Sequence, residues 1–446
     1  MKTTLSNRSI CLGAIIGLLL SCTGQSRERI GQQESDRDLA ASILSDSTLT
    51  KVDRMGRELL TKGYNAGGGY HEVWIRDFNT FIETIMDVVP AHEVKEALTV
   101  FFRLQQPNGE IVDGYVPRAS QWRDNMPYYS EADTLHVGFK NTVETDQETS
   151  LIQAVWKYIA KSGDSDFLSA DVAGETVYAR MERAVDYLMR EKYDAHYHLL
   201  TGGLTADWGD VENDTVCCVD LDENSTITVD IYDNAMMVIA LRALRQMAPD
   251  DGAAARWGDM EQGFRQNIRH HLWNKEEQRF RSHLYPDGKP QAVDFDEERI
   301  YYHGGTAVAI EADLLTAEEV RKVNEDMLQN VRLSGMPSIG LTMYPTYPHN
   351  FFPYNCGMKY PFHYQNGGDW TWFGGRMIQQ LVRYGMVAEA YQEVRPMIDR
   401  VIVNGDFYEW YGRGNTPRGS AAYKGSAGVL CKAIGMLRQW AEENKE

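Results

Sequence analysis

The chain has 446 residues, of which 43% are hydrophobic and 24% are charged, and its formal net charge is −19. This composition is that of a globular protein and excludes a disordered, collagen-like or coiled-coil chain. The acidic balance argues against nucleic acid or an anionic membrane surface as the main partner. Length alone would favour two or three domains, because one domain commonly takes about 100–200 residues.

The N-terminus has the pattern of a secretory signal. Two basic residues flank an apolar run over residues 10–20, which is shorter than the ~20 apolar residues of a membrane span. The run ends in Leu-Leu-Ser-Cys, which resembles the lipoprotein box of bacteria, whose cysteine carries the lipid. We therefore expect a signal peptide over residues 1–21, lipidation of Cys22 and a flexible tether over 22–45, with ordinary signal cleavage as the alternative. Such a protein would face the periplasm or the cell surface and would contact the membrane only through its lipid.

The remaining cysteines of the mature chain suggest no metal or redox site. Cys217, Cys218, Cys356 and Cys431 fit no zinc or redox spacing. A disulfide from the vicinal pair to Cys356 or Cys431 stays open in an oxidising compartment. The histidines are scattered without metal-ligand spacing. We expect neither a metal nor a cofactor.

From about residue 46 onward, apolar residues recur mostly at helical spacing, and long alternating runs of the strand type are absent. Together with a first helix near residues 47–62, the pattern predicts about twelve helices. No stretch between residues 46 and 442 resembles a linker, so we predict one all-α domain over residues 46–446. The other helical segments run over residues 78–89, 94–104, 148–159, 176–189, 234–247, 260–272, 306–314, 318–331, 370–384, 386–402 and 425–440.

Four loops between these helices combine glycine, aromatic residues and carboxylates. They cover residues 67–77, 202–210, 364–372 and 406–414. Indole faces can stack on the apolar faces of sugar rings, while carboxylates and arginine take the hydroxyls. Each Trp could instead anchor its loop, and each Asp could cap a helix. Four such loops, each at a junction between helices, favour a shared cleft.

Motifs in these loops resemble, in the same order, those of neutral invertases, trehalases and glycogen-debranching glucosidases. Residues 73–78 (VWIRDF) resemble the FVRDF start of invertases, and residues 145–148 (TDQE) resemble the start of the next helix pair. Residues 364–370 (YQNGGDW) resemble the YHNGG-W signature, and Glu409 lies in a segment similar to PEYYDG. The matches extend over residues 65–435 and identify the chain as a six-hairpin glycosidase. The resemblance implies an (α/α)6 toroid of about twelve helices in six hairpins, which agrees with the count from periodicity.

The same resemblance implies an inverting glycoside hydrolase with two catalytic carboxyl groups. It assigns Asp207 as the general acid and Glu409 as the general base. Asp210 is the competing acid, although it could instead bind substrate hydroxyls or cap a turn. Residues 207–210 (DWGD) look most like the DWND loop of inverting disaccharide phosphorylases. Trp208 would raise the pKa of the neighbouring acid by desolvation. The expected substrate contacts are Trp74, Arg76, Asp77, Trp208, Gln365, Asn366, Asp369, Trp370 and Trp410.

Structural alternatives stay open for these residues: Arg76 and Asp77 could form a buried salt bridge, and each Trp could belong to the core. We expect a monomer that releases sugar from the non-reducing end of an α-linked oligosaccharide. A disaccharide phosphorylase and a non-catalytic glycan-binding lipoprotein on the same fold are the alternatives, and a polysaccharide lyase fits the acidic chain less well. Phosphate dependence would identify the phosphorylase. Glycan binding that survives Asp207→Asn and Glu409→Gln, without any cleavage, would identify the binding protein.

Overall fold

The computed structural model describes residues 34–120, 127–211, 219–288, 295–352 and 357–446. The predicted signal peptide and Cys22 lie outside these residues. Helix α1 (residues 34–45) begins the described chain, and its Ala40 and Ile43 are fully buried in the main core. The prediction of a flexible tether up to residue 45 is therefore wrong for residues 34–45. None of the helices in the described segments is long and apolar enough to span a membrane.

Six strongly buried helices of the described chain form a ring. They are α3 (Ile75–Ile85), α5 (Gln147–Ser162), α7 (Ile231–Met247), α9 (His303–Glu311), α11 (Thr371–Arg383) and α14 (Lys424–Glu443). Each packs against the next in chain order, and α14 packs back against α3, which closes the ring. The approach of α14 to α3 is tight, because a Cβ on Gly428 would lie 2.2 Å from the Cβ of Phe81. Helices enclosed by neighbours on all sides bury polar as well as apolar residues, which blurs their helical periodicity in the sequence.

An outer helix precedes each inner helix. The outer layer consists of α2 (Ser47–Leu60), α4 (Ala91–Leu104), α6 (Val177–Glu191), α8 (Asp251–Asn267), α10 (Ala317–Ser334) and the consecutive pair α12 (Val387–Glu393) and α13 (Arg395–Asn404). Side chains cap several of their N-termini: Asp46, Thr176 and Asp250 accept backbone hydrogen bonds, and Thr316 forms a capping box with Glu319. The prediction of a mostly helical domain is confirmed.

Short antiparallel strands make the all-α description too simple. A four-stranded sheet in the order β1-β2-β4-β3 joins β1 (Val73–Trp74), β2 (Gly114–Pro117), β3 (Pro127–Ser130) and β4 (Asp133–Phe139). Two-stranded ribbons pair β5 (Asp171–Val172) with β6 (Glu175–Thr176), β7 (Tyr193–Asp194) with β8 (Leu199–Leu200), β9 (Gly202–Gly203) with β10 (Ile227–Thr228), β11 (Trp273–Asn274) with β12 (Arg279–Phe280), β13 (Tyr301–Tyr302) with β14 (Met343–Tyr344), and β15 (Tyr408–Gly412) with β16 (Thr416–Ala421). Most of these strands have only two residues, too few to show an alternating pattern.

The strands and loops lie where outer helices lead into inner ones. Strand β1 leads directly into α3, the loop after β9 lies before α7, and the β15–β16 ribbon lies before α14. Because each inner helix starts after such a connection, the N-terminal ends of the inner helices meet at one end of the ring. The four loops that the sequence singled out therefore converge on this end.

Candidate active site

A cavity of about 240 Å³ opens at the N-terminal ends of the inner helices. It is smaller than the ~300–1,000 Å³ of pockets for drug-sized ligands, so it suits a small unit. All four of the singled-out loops contribute to it, together with segments before α5. The polar and aromatic lining residues are Tyr70, Trp74, Arg76, Asp77, Asp113, Phe139, Lys140, Asn141, Trp208, Asp210, Asp220, Tyr364, Gln365, Trp370, Trp372, Glu409 and Tyr423.

Glu409 of β15 is a buried carboxyl group in this cavity, with 4% of the residue exposed. The Tyr70 hydroxyl donates to its Oε1 at 2.8 Å, and the Ser420 backbone N–H donates to its Oε2 at 2.8 Å. Burial raises the pKa of Glu409 to about 7, although these two hydrogen bonds act in the lowering direction. An ionised carboxylate can only accept hydrogen bonds, so two donors favour its charged form. A pKa near neutrality is the value that suits a general base.

Asp210 lines the same cavity from the loop before α7. Its Oδ1 accepts a hydrogen bond from Gln365 Nε2 at 3.0 Å, and its backbone carbonyl accepts one from Asn141 Nδ2 at 2.8 Å. An ionised Asp210 raises the pKa values of Asp77 and Glu409. The three carboxyl groups are therefore close enough to interact electrostatically. Asp210 and Glu409 therefore face one shared space.

Asp207 lies beneath the cavity, outside the lining that the described residues form. Its backbone has a φ of 58°, and its Oδ1 accepts a hydrogen bond from the Gly305 N–H at 2.8 Å at the N-terminus of α9. A Cβ on Gly304 would come within 2.6 Å of the other carboxyl oxygen of Asp207, so the glycines make room for the carboxyl group. Burial raises its pKa well above the ordinary range. One carboxyl oxygen of Asp207 therefore bonds to the start of α9, and the side chain does not line the cavity.

Arg76 and Asp77 combine the two roles that the sequence left open. Both line the cavity. Arg76 also forms an ion pair with Glu144, and its Nε donates to Asp146 Oδ2 at 2.6 Å. Asp77 accepts a hydrogen bond from the Tyr423 hydroxyl at 2.5 Å, while burial raises its pKa to about 6. The salt bridge fixes Arg76 at the cavity wall without removing it from the cavity.

Trp208, Trp370 and Trp372 form an aromatic wall that belongs both to the core and to the cavity. Each has 2% of the residue exposed. The ring of Trp208 lies 5.4 Å from that of Trp370 and 5.8 Å from that of Trp372, between centroids. Trp370 Nε1 donates to the Tyr364 carbonyl at 3.0 Å, which fixes the indole. Trp74 and Gln365, two further residues predicted to contact substrate, also line the cavity.

The structure places three predicted substrate contacts elsewhere. Asn366 is fully buried and hydrogen-bonds to the backbone of neighbouring loops. Asp369 forms a fully buried ion pair with Arg400, with 2.7 Å between Oδ1 and Nη1. Trp410 lines a different cavity, where its ring centroid lies 5.6 Å from that of His363. Asn366 and Asp369 therefore stabilise loops instead of facing the cavity, and Trp410 belongs to the wall of that second cavity.

Several cavity residues were missed because no motif marks them. Asp113 lies at the start of β2, and burial raises its pKa to about 7. Lys140 lies just after β4 and forms an ion pair with Glu148 at 3.2 Å. The sheet carries both into the cavity, and nothing in the sequence predicted that sheet. Tyr70 stood in a singled-out loop, yet its hydrogen bond to Glu409 was not foreseen.

The cysteines and ionisable clusters add no further chemistry here. Among the described residues, Cys431 is a free, buried thiol. Cys217, Cys218 and Cys356 lie outside the described residues. The described residues contain no group of three or more His, Cys, Asp or Glu side chains arranged to hold a metal ion.

Solved structures of low sequence identity share this fold. The mannosylglycerate hydrolase of glycoside hydrolase family 63 from Thermus thermophilus, solved with Tris and D-glycerate, superimposes with a TM-score of 0.62 at 14% identity, covering 85% of this chain and 99% of that one. Its complex with glucose gives a TM-score of 0.62 at 14% identity, with 87% and 99% covered. A rhamnosidase from Klebsiella oxytoca with rhamnose bound gives 0.55 at 13% identity, covering 89% of this chain and 64% of that one.

At the level of sequence, no curated protein matches the chain. Residues 57–370 match the family model described as glycosyl hydrolase 94 superfamily, catalytic domain. The predictions of a six-hairpin glycosidase and of a glycoside hydrolase are confirmed. Because the match extends over well more than half of its length, the chain belongs to the glycosyl hydrolase 94 superfamily.

Proposed function

We propose that this glycoside hydrolase inverts the anomeric centre and removes a terminal sugar from an α-linked oligosaccharide. The observation that carries the proposal is that Asp210 and Glu409 face one small cavity with tryptophan walls. Inverting cleavage needs one carboxyl group that protonates the leaving oxygen and another that activates water on the opposite face of the ring. We also infer that the closed inner ring and its outer helices form an (α/α)6 toroid.

Glu409 acts as the general base in this proposal. A pKa near 7 leaves a large fraction of its carboxyl group ionised at neutral pH, and both of its oxygens already accept hydrogen bonds. Its carboxylate takes a proton from a water molecule as the water oxygen bonds to the anomeric carbon. Asp210 gives a proton to the glycosidic oxygen as the bond from that oxygen to the anomeric carbon breaks. Asp210 replaces Asp207 as the acid because Asp207 is buried beneath the cavity against α9.

The shape of the cavity supports action at a chain end. Indole rings on one side would pack against the apolar face of a sugar, and Arg76, Asp77 and Asp113 would bind its hydroxyls. A volume of about 240 Å³ accommodates a terminal unit better than a long internal stretch of polysaccharide. The α linkage rests on the resemblance to invertases, trehalases and debranching glucosidases.

The charges in the cavity favour water over phosphate as the nucleophile. Its described lining includes five carboxyl groups, which repel an anion. Its two cations are already engaged, Arg76 by Glu144 and Asp146 and Lys140 by Glu148. A phosphorylase would need cations free to hold phosphate beside the sugar, so hydrolysis is the better fit.

A substrate screen tests the proposal. Purified protein is incubated with a panel of α- and β-linked oligosaccharides, with and without phosphate, and early products are followed by NMR. We expect a released monosaccharide of inverted configuration at a rate that does not depend on phosphate. Retention of configuration would exclude the Asp210–Glu409 assignment, and strict phosphate dependence would identify a phosphorylase. Tight binding of glycans without turnover of any would identify a non-catalytic binding protein.

We further propose that the protein works as a monomer anchored in the bacterial cell envelope through Cys22. The support is the short apolar run ending in Leu-Leu-Ser-Cys, followed by a polar segment before α1. In cells, Cys22→Ala should move the protein from the membrane fraction to a soluble fraction. Unchanged membrane association of that variant would exclude the lipid anchor.

A further inference from the structure

A second cavity, of about 260 Å³, lies behind one wall of the candidate active site. Its main side chains are Phe362, His363, Trp410, Arg413 and Arg418. It is formed by the β15–β16 ribbon and by the turn that precedes the YQNGGDW segment. None of the catalytic roles proposed above involves it.

The two cavities are separated by a thin layer of protein. Glu409 lines the first and Trp410 the second, because successive residues of a strand point to opposite faces. Likewise, Tyr364 lines the first cavity and His363 the second. The Tyr364 ring lies edge-on to Trp410 on one side, with 6.3 Å between centroids. The second cavity is therefore a separate site that shares its wall with the first.

The chemistry of the second cavity is opposite to that of the first. Its described lining contains no carboxylate, and two exposed arginines stand at its edge. Arg418 pairs directly across the ribbon with Trp410, which puts both side chains on one face. The Arg413 guanidinium lies 4.1 Å from the centroid of the Phe362 ring. Neither arginine forms a side-chain salt bridge with the described residues.

Two guanidinium groups with free donors beside aromatic rings suit a specific ligand class. Guanidinium donors form a planar fork that matches the two oxygens of a carboxylate or phosphate. Phe362, His363 and Trp410 supply the apolar surface against which a sugar ring can pack.

We propose that the second cavity binds an anionic sugar, a ring that carries a carboxylate or a phosphate. Arg413 and Arg418 hold the anionic group, and the aromatic residues contact the ring. The site lies outside the hydrolytic cavity, and the proposal does not depend on the inverting mechanism. It gives the protein a way to recognise charged glycans that its acidic active-site cavity would disfavour.

Equilibrium binding of small sugars tests the site. Glucuronate, glucose 6-phosphate, glucose and inorganic phosphate are titrated into purified protein by calorimetry at low ionic strength. The double variant Arg413→Gln/Arg418→Gln is compared with Arg321→Gln/Arg332→Gln, which alters two exposed arginines of α10. Thermal unfolding checks that both variants fold, and Asp210→Asn reports on binding in the hydrolytic cavity.

We expect glucuronate or glucose 6-phosphate to bind at least tenfold more tightly than glucose and than inorganic phosphate. The Arg413/Arg418 double variant should lose at least tenfold in affinity, because each charge-assisted hydrogen bond contributes strongly. The α10 double variant and Asp210→Asn should bind as the wild type does. Equal affinity for glucose, equal affinity for inorganic phosphate, or binding lost in Asp210→Asn but kept in the double variant would each overturn the proposal.

Discussion

The two ends of the inner helix ring treat carboxyl groups that are partly or fully removed from solvent in opposite ways. At the N-terminal end, burial raises the pKa of Asp77 to about 6 and those of Asp113 and Glu409 to about 7. Towards the C-terminal end, the pKa of Glu83 is lowered and that of Glu311 falls to about 2. Burial raises the pKa at both ends, so the difference lies in the charges that surround each group.

Cations make this difference. Glu83 forms an ion pair with Lys432, and Glu311 forms one with Arg376 at 2.9 Å. At the other end, neighbouring carboxyl groups raise one another's pKa, and the nearby cations are engaged by Glu144, Asp146 and Glu148. Cations neutralise the carboxylates that serve structure. The carboxyl groups that gather at the cavity have no such free cations beside them. Such uncompensated groups are typical of functional sites.

The largest effect expected from this comparison is the loss of activity in Glu409→Gln. The glutamine keeps the shape of the side chain but cannot take a proton from water. Removing a general base typically lowers the rate by about 10²–10⁴-fold, so kcat should fall by that factor. Steady-state hydrolysis of the best oligosaccharide from the screen measures it. A decrease of less than about tenfold would contradict the role of Glu409 as base.

The same variant sharpens the electrostatic side of the comparison. The folded pKa of Glu409, about 7, lies above the ~4.3 of an unfolded Glu, so the wild type loses stability as pH rises from about 4 through 7. Glu409→Gln lacks this loss. The stability of the variant relative to the wild type should therefore increase by about 1–4 kcal/mol between pH 4.5 and pH 8 in urea denaturation. A difference in unfolding free energy that stays constant across this pH range would mean that burial does not raise the pKa of Glu409.

Two aspartates three residues apart give the next test. Asp210→Asn removes a proton donor from the cavity and should lower kcat by about 10²–10⁴-fold, with a smaller loss for substrates whose leaving groups need no proton. Asp207→Asn keeps an oxygen that can accept from the Gly305 N–H. It should change stability by less than about 1 kcal/mol, because Asn and Asp accept such a backbone hydrogen bond about equally well, and leave kcat within tenfold. The reverse pattern would restore Asp207 as the acid.

At the opposite end of the ring, Glu311→Gln should affect stability and not chemistry. The variant leaves Arg376, which is 4% exposed, without its carboxylate. Breaking a buried ion pair costs about 3–5 kcal/mol. Because the Glu311 side chain is 22% exposed, we expect about 1–3 kcal/mol in urea denaturation. Glu318→Gln on exposed α10 is the control and should change stability by less than about 0.5 kcal/mol. Equal effects of the two variants would contradict the structural role of the pair.

The sequence predicted the helices and the loops far better than the residues within the loops. Helical periodicity requires only local spacing, and most predicted segments overlap observed helices. The choice between Asp207 and Asp210 depends on a backbone φ of 58° at Asp207 and on two glycines about a hundred residues away. No local pattern encodes that arrangement. Similarly, the pairing of Asp369 with Arg400 is made by tertiary packing, so the NGGDW motif alone could not separate cavity residues from structural ones.

Polar composition misled the prediction at the N-terminus for a related reason. The segment before residue 46 is rich in charged residues, yet α1 docks on the core through the fully buried Ala40 and Ile43 and the partly buried Leu39 and Leu44. A run of apolar residues confined to residues 39–44 is too short to establish a helical period in the sequence. The partner surface on the rest of the chain, which the sequence does not reveal, decides their burial.

The smallest expected effect concerns the hydroxyl of Tyr70, which donates to Glu409 and lowers its pKa. Tyr70→Phe removes this donor, so the pKa of Glu409 should rise, and the acidic limb of kcat/KM should move to higher pH. A hydrogen bond to a charged group is worth about 1.5–3 kcal/mol, which corresponds to roughly one pH unit or more. Tyr423→Phe is the matched control because its hydroxyl donates to Asp77. A more protonated Asp77 repels Glu409 less, so this control should not move the limb upward, and an equal upward movement in both variants would contradict the role of Tyr70.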